Sequence, residues 1–324
     1  MNYLMLSAGR RGELLKDFRQ SITASSKLIA TDLSPYAPAL YMADKQYLVP
    51  RIDAPDYIEK ILDICRMAQI NAVTTFIDSE IEILAENRDK FEKIGVEARA
   101  PYKETSRICF DKYLMFQYLK KHGLPTVMTW ETLEELDRAL KINAVHFPVF
   151  VKPRTGSGSV GARKICSYEL LKEAIKEDKS LIIQKYMNCI DMDADVYIDT
   201  ITHEAVSAFL KKKIEIRIWG ASKTISFKDN RLFGFAQKIC SVLKFNGPVD
   251  MDFFFRDGQY YLSEVNPRFG GGYIHAYGAG VDFIQLIENN LRGEANTPRF
   301  GDYEENIVMM MYDSVVIKRQ KDMI

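Results

Sequence analysis

The run VDMDFFFRDGQYYLSEVNPRFGGG, from Val249 to Gly272, restricts this chain more than any other stretch. Two apolar segments flank Arg256–Asp257–Gly258–Gln259, a composition that turns one strand back antiparallel to the next. Strand side chains alternate between faces, so Asp250 and Asp252 share one parity, as do Glu264, Asn266 and Arg268 on the returning strand. A hairpin therefore brings Asp252 opposite Glu264 and Asn266. The strand then stops in Gly270, Gly271 and Gly272. Charges clustered in this way are costly to bury without partners. The oxygen-only set suits Mg²⁺, a small hard cation that often bridges substrate phosphates. The plain alternative is a hydrated strand face.

A second segment supplies what such a metal would serve. In HFPVFVKPRTGSGSVGARKI, Pro148 and Pro153 bracket a short apolar strand with Lys152 at its exit. The stretch Thr155–Gly161 follows, and Gly156, Gly158 and Gly161 allow close backbone approach, so exposed amides can cradle phosphate oxygens. Lys152 adds a compact positive charge, and Ser157 and Ser159 add hydroxyl donors. The spacing is not GxxxxGK[ST], which excludes the P-loop NTPase pattern. A flexible structural hairpin is the competing reading. Downstream, in LIIQKYMNCIDMDADVYID, the run from Gln184 to Met187 suits a base pocket and Asp191 a ribose hydroxyl. Asp193 and Asp195 have solvent-facing positions as their alternative.

The first part of the chain alternates strand and helix patterns to about residue 105: NYLML, ELLKDF, KLIATD, YIEKILDICRM, NAVTTFID and SEIEILAENRDKF. That order favours a small parallel α/β domain. Ligands of such sheets bind beyond the C-terminal strand ends, where SAGRRG places Arg10 and Arg11 as candidate contacts for an anionic acceptor. SAGRRG is not a full GxGxxG, so with Asp32 it makes a weak case for a redox dinucleotide. DKYLMFQYLKKHGLPT reads as a helix ended by Gly123 and Pro125, and the segments after it form an α+β module.

Among the 324 residues, 44 basic and 44 acidic side chains balance, so no bulk positive charge points to nucleic acid. The five cysteines are scattered without metal-ligand spacing and read as reduced, and the four histidines form no zinc set. No stretch has the length of a secretion signal or a membrane span, which makes the cytoplasm the expected location.

Taken in order, LSAGRRGELLKDF, ATDLSPYAPALYMADKQYLVPR, ICFDKYLMFQYLKKHGLPT, VFVKPRTGSGSVGARKI, IIQKYM, VDMDFFF and YYLSEVNPRFGGG resemble the ATP-grasp superfamily. The likeness is greatest to stand-alone proteins related to the carbamoyl-phosphate synthase large-subunit unit. The resemblance implies an N-terminal parallel-sheet α/β domain (1–106), then an α+β ATP-grasp fold whose two subdomains (107–185 and 186–324) clamp ATP. It implies ATP contacts from Lys112, Lys152, Thr155–Gly161, Gln184, Lys185, Met187 and Asp191. Metal ligation falls to Asp252, Glu264 and Asn266, with Mg²⁺ as the metal and Mn²⁺ as a substitute. Arg268, Lys223 and Lys152 are implied in phosphoryl transfer, and Gly270–Gly272 in approach to the second substrate. Lys185 stands where an acidic residue is common, and Asp191 is one carbon shorter than the usual Glu. Lys212, Lys213 and Arg217 lie where relatives place a basic cluster, with altered spacing. The implied activity is an ATP-dependent carboxylate–amine ligase working through an acylphosphate and releasing ADP and phosphate. Its partners are small molecules, without nucleic acid or membrane, and its assembly a homodimer. The alternatives are carbamoyl-phosphate-type chemistry on bicarbonate or carbamate, and an inactive nucleotide-binding protein.

Overall fold

The computed structural model describes residues 1–156, 158, 160–217 and 220–324. Its first sheet contains β1 (Asn2–Leu6), β2 (Lys27–Asp32), β3 (Lys45–Leu48), β4 (Ala72–Thr75) and β5 (Glu97–Ala98), all parallel, in the order β3-β2-β1-β4-β5. Parallel sheets are covered on both faces, which explains why the interior of β1 is uninterruptedly apolar. Tyr3 and Met5 pack with Leu14, Leu15 and Phe18 of the helix Gly12–Ser21, whereas Leu4 and Leu6 pack with Tyr57 and Ile61 of the helix Tyr57–Met67. Full burial of each such side chain contributes about 1.5–3 kcal/mol. Because β2 and β4 lie on opposite sides of β1, the connections leaving β1 and β4 flank the point where strand order reverses.

The second sheet comprises β6 (Thr129–Trp130), β7 (Val149–Pro153), β8 (Arg163–Ile165) and β9 (Leu181–Lys185), antiparallel in the order β6-β9-β7-β8. Its helices Leu133–Lys141 and Tyr168–Glu177 begin at Thr132 and Ser167, whose hydroxyls accept from the amides of Glu135 and Leu170. Val149 and Val151 turn into the core beneath these helices, so Phe150 and Lys152 take the opposite face.

The third sheet holds β10 (Ile190–Ile198), β11 (Ala205–Arg217), β12 (Gly220–Phe227), β13 (Gly247–Arg256) and β14 (Gln259–Asn266), antiparallel in the order β14-β13-β10-β11-β12. Short strands at Arg299–Phe300 and Val308–Met310 add to β11 and β12. Met192, Ala194 and Val196 of β10 join the core shared with Leu232, Ala236 and Ile239 of the helix Asn230–Val242. The opposite parity of β10 carries Asp191, Asp193 and Asp195. The fold class is the one expected from the sequence: a parallel α/β sheet followed by two α+β units. Among the described residues, no helix is long and apolar enough to cross a membrane.

Candidate active site

One cavity of about 650 Å³ takes its lining from the second and third sheets, from the connections around them, and from Arg11 in the connection after β1. At one end, Lys152 leaves β7 buried, with its ammonium 3.9 Å from Glu264 Oε2. Burial draws its pKa down while Glu264 opposes the shift. Lys112 opens the helix Lys112–Lys121, which Asp111 caps by accepting from the amides of Tyr113 and Leu114. Its ammonium donates to Gly156 O at 2.5 Å. Thr155, Gly156 and Gly158 line the cavity beside both lysines. Gly156 and Gly158 have φ of 94° and 73°, left-handed values that favour glycine. Ser157 and Ser159 lie outside the described residues. Gly161 does not line the cavity and serves the turn, with φ of 76°.

The base-pocket segment reaches the cavity through Gln184, Lys185, Tyr186 and Met187, between apolar walls from Val127, Phe150 and Phe254. Gln184 Nε2 donates to Thr129 Oγ1 at 2.9 Å, and the amide of Lys185 donates to Met128 O at 2.9 Å. Lys185 is exposed at the end of its strand.

The hairpin pairs Asp252 with Glu264 and Asp250 with Asn266. All four residues line the cavity. Register across β10 adds two more pairs, Asp193 with Asp252 and Asp195 with Asp250. Asp193 and Asp195 are both buried, which removes their solvent-facing alternative. Lys213 of β11 neutralises the group: its ammonium is 3.0 Å from Asp191 Oδ1, 2.8 Å from Asp193 Oδ1, and in contact with Asp252 Oδ1. Single oxygens of Asp191, Asp193 and Asp252 all lie within 4.8 Å of one another, and the cation they share is the Lys213 ammonium. Burial works against ionisation of Asp252, but the Lys213 ammonium outweighs it and holds that carboxyl at about 2. Burial prevails at Asp193, which is pushed well up. Burial, with the charges of Asp252 and Asp195, raises Asp250 to about 6. Carboxylates that open to the cavity opposite two lysines fit a divalent cation carrying phosphates.

Arg268 is fixed from two sides. Its Nε lies 2.8 Å from Asp78 Oδ1 and its Nη1 3.4 Å from Asp250 Oδ2. Asp78 opens the helix that follows β4, so this contact joins the first sheet to the third. Arg11 also lines the cavity, and its Nη1 donates to Gly270 O at 3.3 Å. Gly271 and Gly272 complete that end. Gly270 sits just behind the lining, where a Cβ would fall 2.8 Å from Asp195 Oδ1 and from Asp250 Oδ1. Beneath Gly272 lies Lys211, fully buried and paired with Asp195.

Several candidates lie elsewhere. Arg10 points away from the cavity, exposed and 3.9 Å from Asp313, because the turn at Gly9 brings only its neighbour Arg11 inward. Lys223 does not line the cavity; it pairs with Glu215 at 2.7 Å. Within the basic run, Lys212 lies over the Phe227 ring and Arg217 pairs with Glu215, leaving Lys213 as the residue that reaches the site. His275 is a packing group: it bonds Thr224 Oγ1 at 2.7 Å and Ile307 O at 3.1 Å, and burial lowers it to about 4. Asp193, Lys213 and Asp250 are site residues that the sequence motifs name without assigning them a role. Their signal was the alternation Asp191-Asp193-Asp195 against Lys211-Lys213, acids and bases of matched parity on successive strands.

Comparison with known proteins places these features in context. A model of the PylC-like N-terminal domain matches residues 3–98, and a model of the ATP-grasp domain matches residues 109–272. The chain is 27% identical over 206 residues to a D-alanine–D-alanine ligase of Nitratiruptor sp., covering 58% of each protein. It spans less than two thirds of the length of the curated relatives it matches. N5-carboxyaminoimidazole synthetase from Staphylococcus aureus complexed with ADP superposes with a TM-score of 0.75 at 18% identity, over 95% of this chain and 81% of that one. The biotin carboxylase domain of Hydrogenobacter thermophilus 2-oxoglutarate carboxylase, in complex with MgADP, ADP and bicarbonate, gives 0.74 at 18% identity, over 94% and 73%.

Proposed function

The chain belongs to the ATP-grasp family, and from that membership we propose that it is an enzyme that takes ATP with Mg²⁺ and phosphorylates a small oxyacid of the bicarbonate or carbamate kind for attack by a nitrogen nucleophile. The carrying observation is the convergence of Lys152, Asp252, Glu264, Asn266 and Arg268 on one cavity. The choice of oxyacid draws support from the two carboxylation-type structures above, one of which holds bicarbonate.

An oxygen of the oxyacid attacks the γ-phosphorus of ATP, the bond to the bridging oxygen of the β-phosphate breaks, and ADP departs from the acylphosphate so formed; a bound metal would offset phosphate charge. In this assignment Lys112, Lys152 and the amides of Thr155, Gly156 and Gly158 hold the phosphates. The segment Gln184–Met187 receives the base and Asp191 the ribose. Asp252, Glu264 and Asn266 hold Mg²⁺, or Mn²⁺ in its place. Arg268, locked by Asp78 and Asp250, offsets charge on the transferred group without reorganising, the condition under which fixed donors contribute most. The glycine segment screens the anhydride from water. Lys213 supplies a further cation beside the metal ligands.

The second reading is the carboxylate–amine ligase that the sequence placed first. Its support is the likeness to the D-alanine–D-alanine ligase. The complete Asp252–Glu264–Asn266 set speaks against an inactive binder. ADP release in carbonate-free buffer separates the two. Bicarbonate-stimulated release is expected, whereas release that needs a carboxylate–amine pair and ignores bicarbonate would replace the first reading with the second.

A further inference from the structure

Building on that reading, we infer that the nitrogen nucleophile carries an oxyanion group, and that Arg11 binds it at the crevice between the connections leaving β1 and β4. Two independent observations meet there. The first is topological: strand order reverses between β1 and β4, and the crevice outside the carboxyl ends of strands at such a reversal is where open α/β sheets take ligands. The loop after β1 supplies Arg11, and the start of the helix after β4 supplies Asp78.

The second observation is electrostatic. Two guanidiniums share this end of the cavity, and they are treated differently. Arg268 has Asp78 and Asp250 as ion-pair partners. Arg11 has one hydrogen bond, to the carbonyl of Gly270 at 3.3 Å, and no ion pair among the described residues. Burial, and then the charge of Arg268, lowers its pKa to about 10 against the opposing charges of Asp250 and Asp78, neither of which pairs with it directly. A guanidinium presents five donors in a planar fork matched to carboxylate and phosphate oxygens. Keeping that fork mostly unpaired beside a second cation is unfavourable, and an anion in the cavity would relieve it. The lysines at the phosphate end do not serve here: Lys112 is tied to Gly156 and Lys152 faces Glu264. Gly271 and Gly272 line the cavity next to the guanidinium, leaving backbone without side chains where an acceptor would lie.

The test uses the full chain saturated with a non-hydrolysable ATP analogue and Mg²⁺, so that the nucleotide phosphate positions are filled. Inorganic phosphate and malonate are titrated calorimetrically into the wild type, Arg11→Gln and Arg11→Lys. One of the two anions is expected to bind the wild type, with affinity about tenfold or more weaker in Arg11→Gln. Partial recovery is expected in Arg11→Lys, which keeps the charge and loses the fork. The tighter probe tells whether the acceptor's group is a phosphate or a carboxylate. Equal affinity in wild type and Arg11→Gln, or binding of neither anion to the nucleotide-loaded wild type, would overturn the inference. Failure of the wild type to bind the nucleotide analogue would overturn the ATP-grasp assignment itself, and the inference with it. That outcome is recognised by its own titration.

Discussion

Replacing Lys152 by methionine separates what this residue does for the fold from what it does for the reaction. Lys152 is 8% exposed, so its stem is packed, and methionine keeps most of that volume. The ammonium lies 3.9 Å from Glu264, beyond hydrogen-bond range. Glu264 opens on the cavity and keeps hydration after its partner is removed. Losing the pair therefore costs little, and losing a desolvated charge offsets it. Stability is expected to stay within about 1.5 kcal/mol of wild type, the range of volume-conserving swaps. The sign with pH follows from burial, which lowers the folded-state pKa of Lys152. The folded protein then releases this proton more readily than the unfolded chain, and stability rises with pH through the window just below the ordinary lysine range. The methionine variant lacks that rise, so its relative stability is best at neutral pH and slips in alkali. Turnover behaves differently: removing one fixed donor from a developing charge costs about 10²–10³ in kcat. Denaturant melts at two pH values and steady-state ADP release measure both quantities. A variant with kcat within threefold of wild type would refute the phosphate role. One that unfolds at neutral pH while wild-type Lys152 stays uncompensated would refute the energetic reasoning.

Asp78→Asn is expected to lower kcat about tenfold or more with little change in KM for ATP, because Asp78 orients Arg268 and lies outside the cavity lining; Asp78→Glu should recover part of the loss. Gly270→Ala should cost about 1–3 kcal/mol in denaturant melts, since its Cβ meets the carboxylates of Asp195 and Asp250 at 2.8 Å. Asp17, raised to about 7 chiefly by burial, holds a proton in the folded state that the unfolded chain releases earlier, so this group's contribution to stability falls as pH rises from about 4 to 7. Asp17→Asn should flatten that fall in melts across the window while leaving ADP release unchanged. Chelation of divalent cations should abolish turnover, with Mg²⁺ or Mn²⁺ restoring it in the same assay.

Period-two alternation made the like-facing pairs Asp250 with Asp252 and Glu264 with Asn266 legible within each strand, whereas the facing of Asp252 and Glu264 depends on a register shift between Asp252 and Phe253 that alternation does not encode. Lys152 was legible for a similar reason: two apolar neighbours of opposite parity leave it a single direction. The acids of β10 were harder, since ionised side chains ordinarily seek water. Their burial depends on Lys211 and Lys213, which reach them only through the cross-strand register. The same register removes Lys223 from the cavity by setting Glu215 opposite it. Arg10 and Arg11 are indistinguishable by residue type. The left-handed turn at Gly9 and the start of the following helix decide between them.

The most direct measurement follows one oxygen atom. With ¹⁸O-labelled bicarbonate, unlabelled ATP, Mg²⁺ and an amine, the inorganic phosphate released is analysed by mass. An acylphosphate route leaves one oxygen of the activated acid on phosphorus, so phosphate carrying a single ¹⁸O is expected at a yield matching ADP. If the same product forms from a labelled carboxylate and not from bicarbonate, the acid is different and the chemistry stands. Phosphate free of label under both conditions, with ADP still forming, would mean that water takes the phosphoryl group and would contradict acid activation altogether.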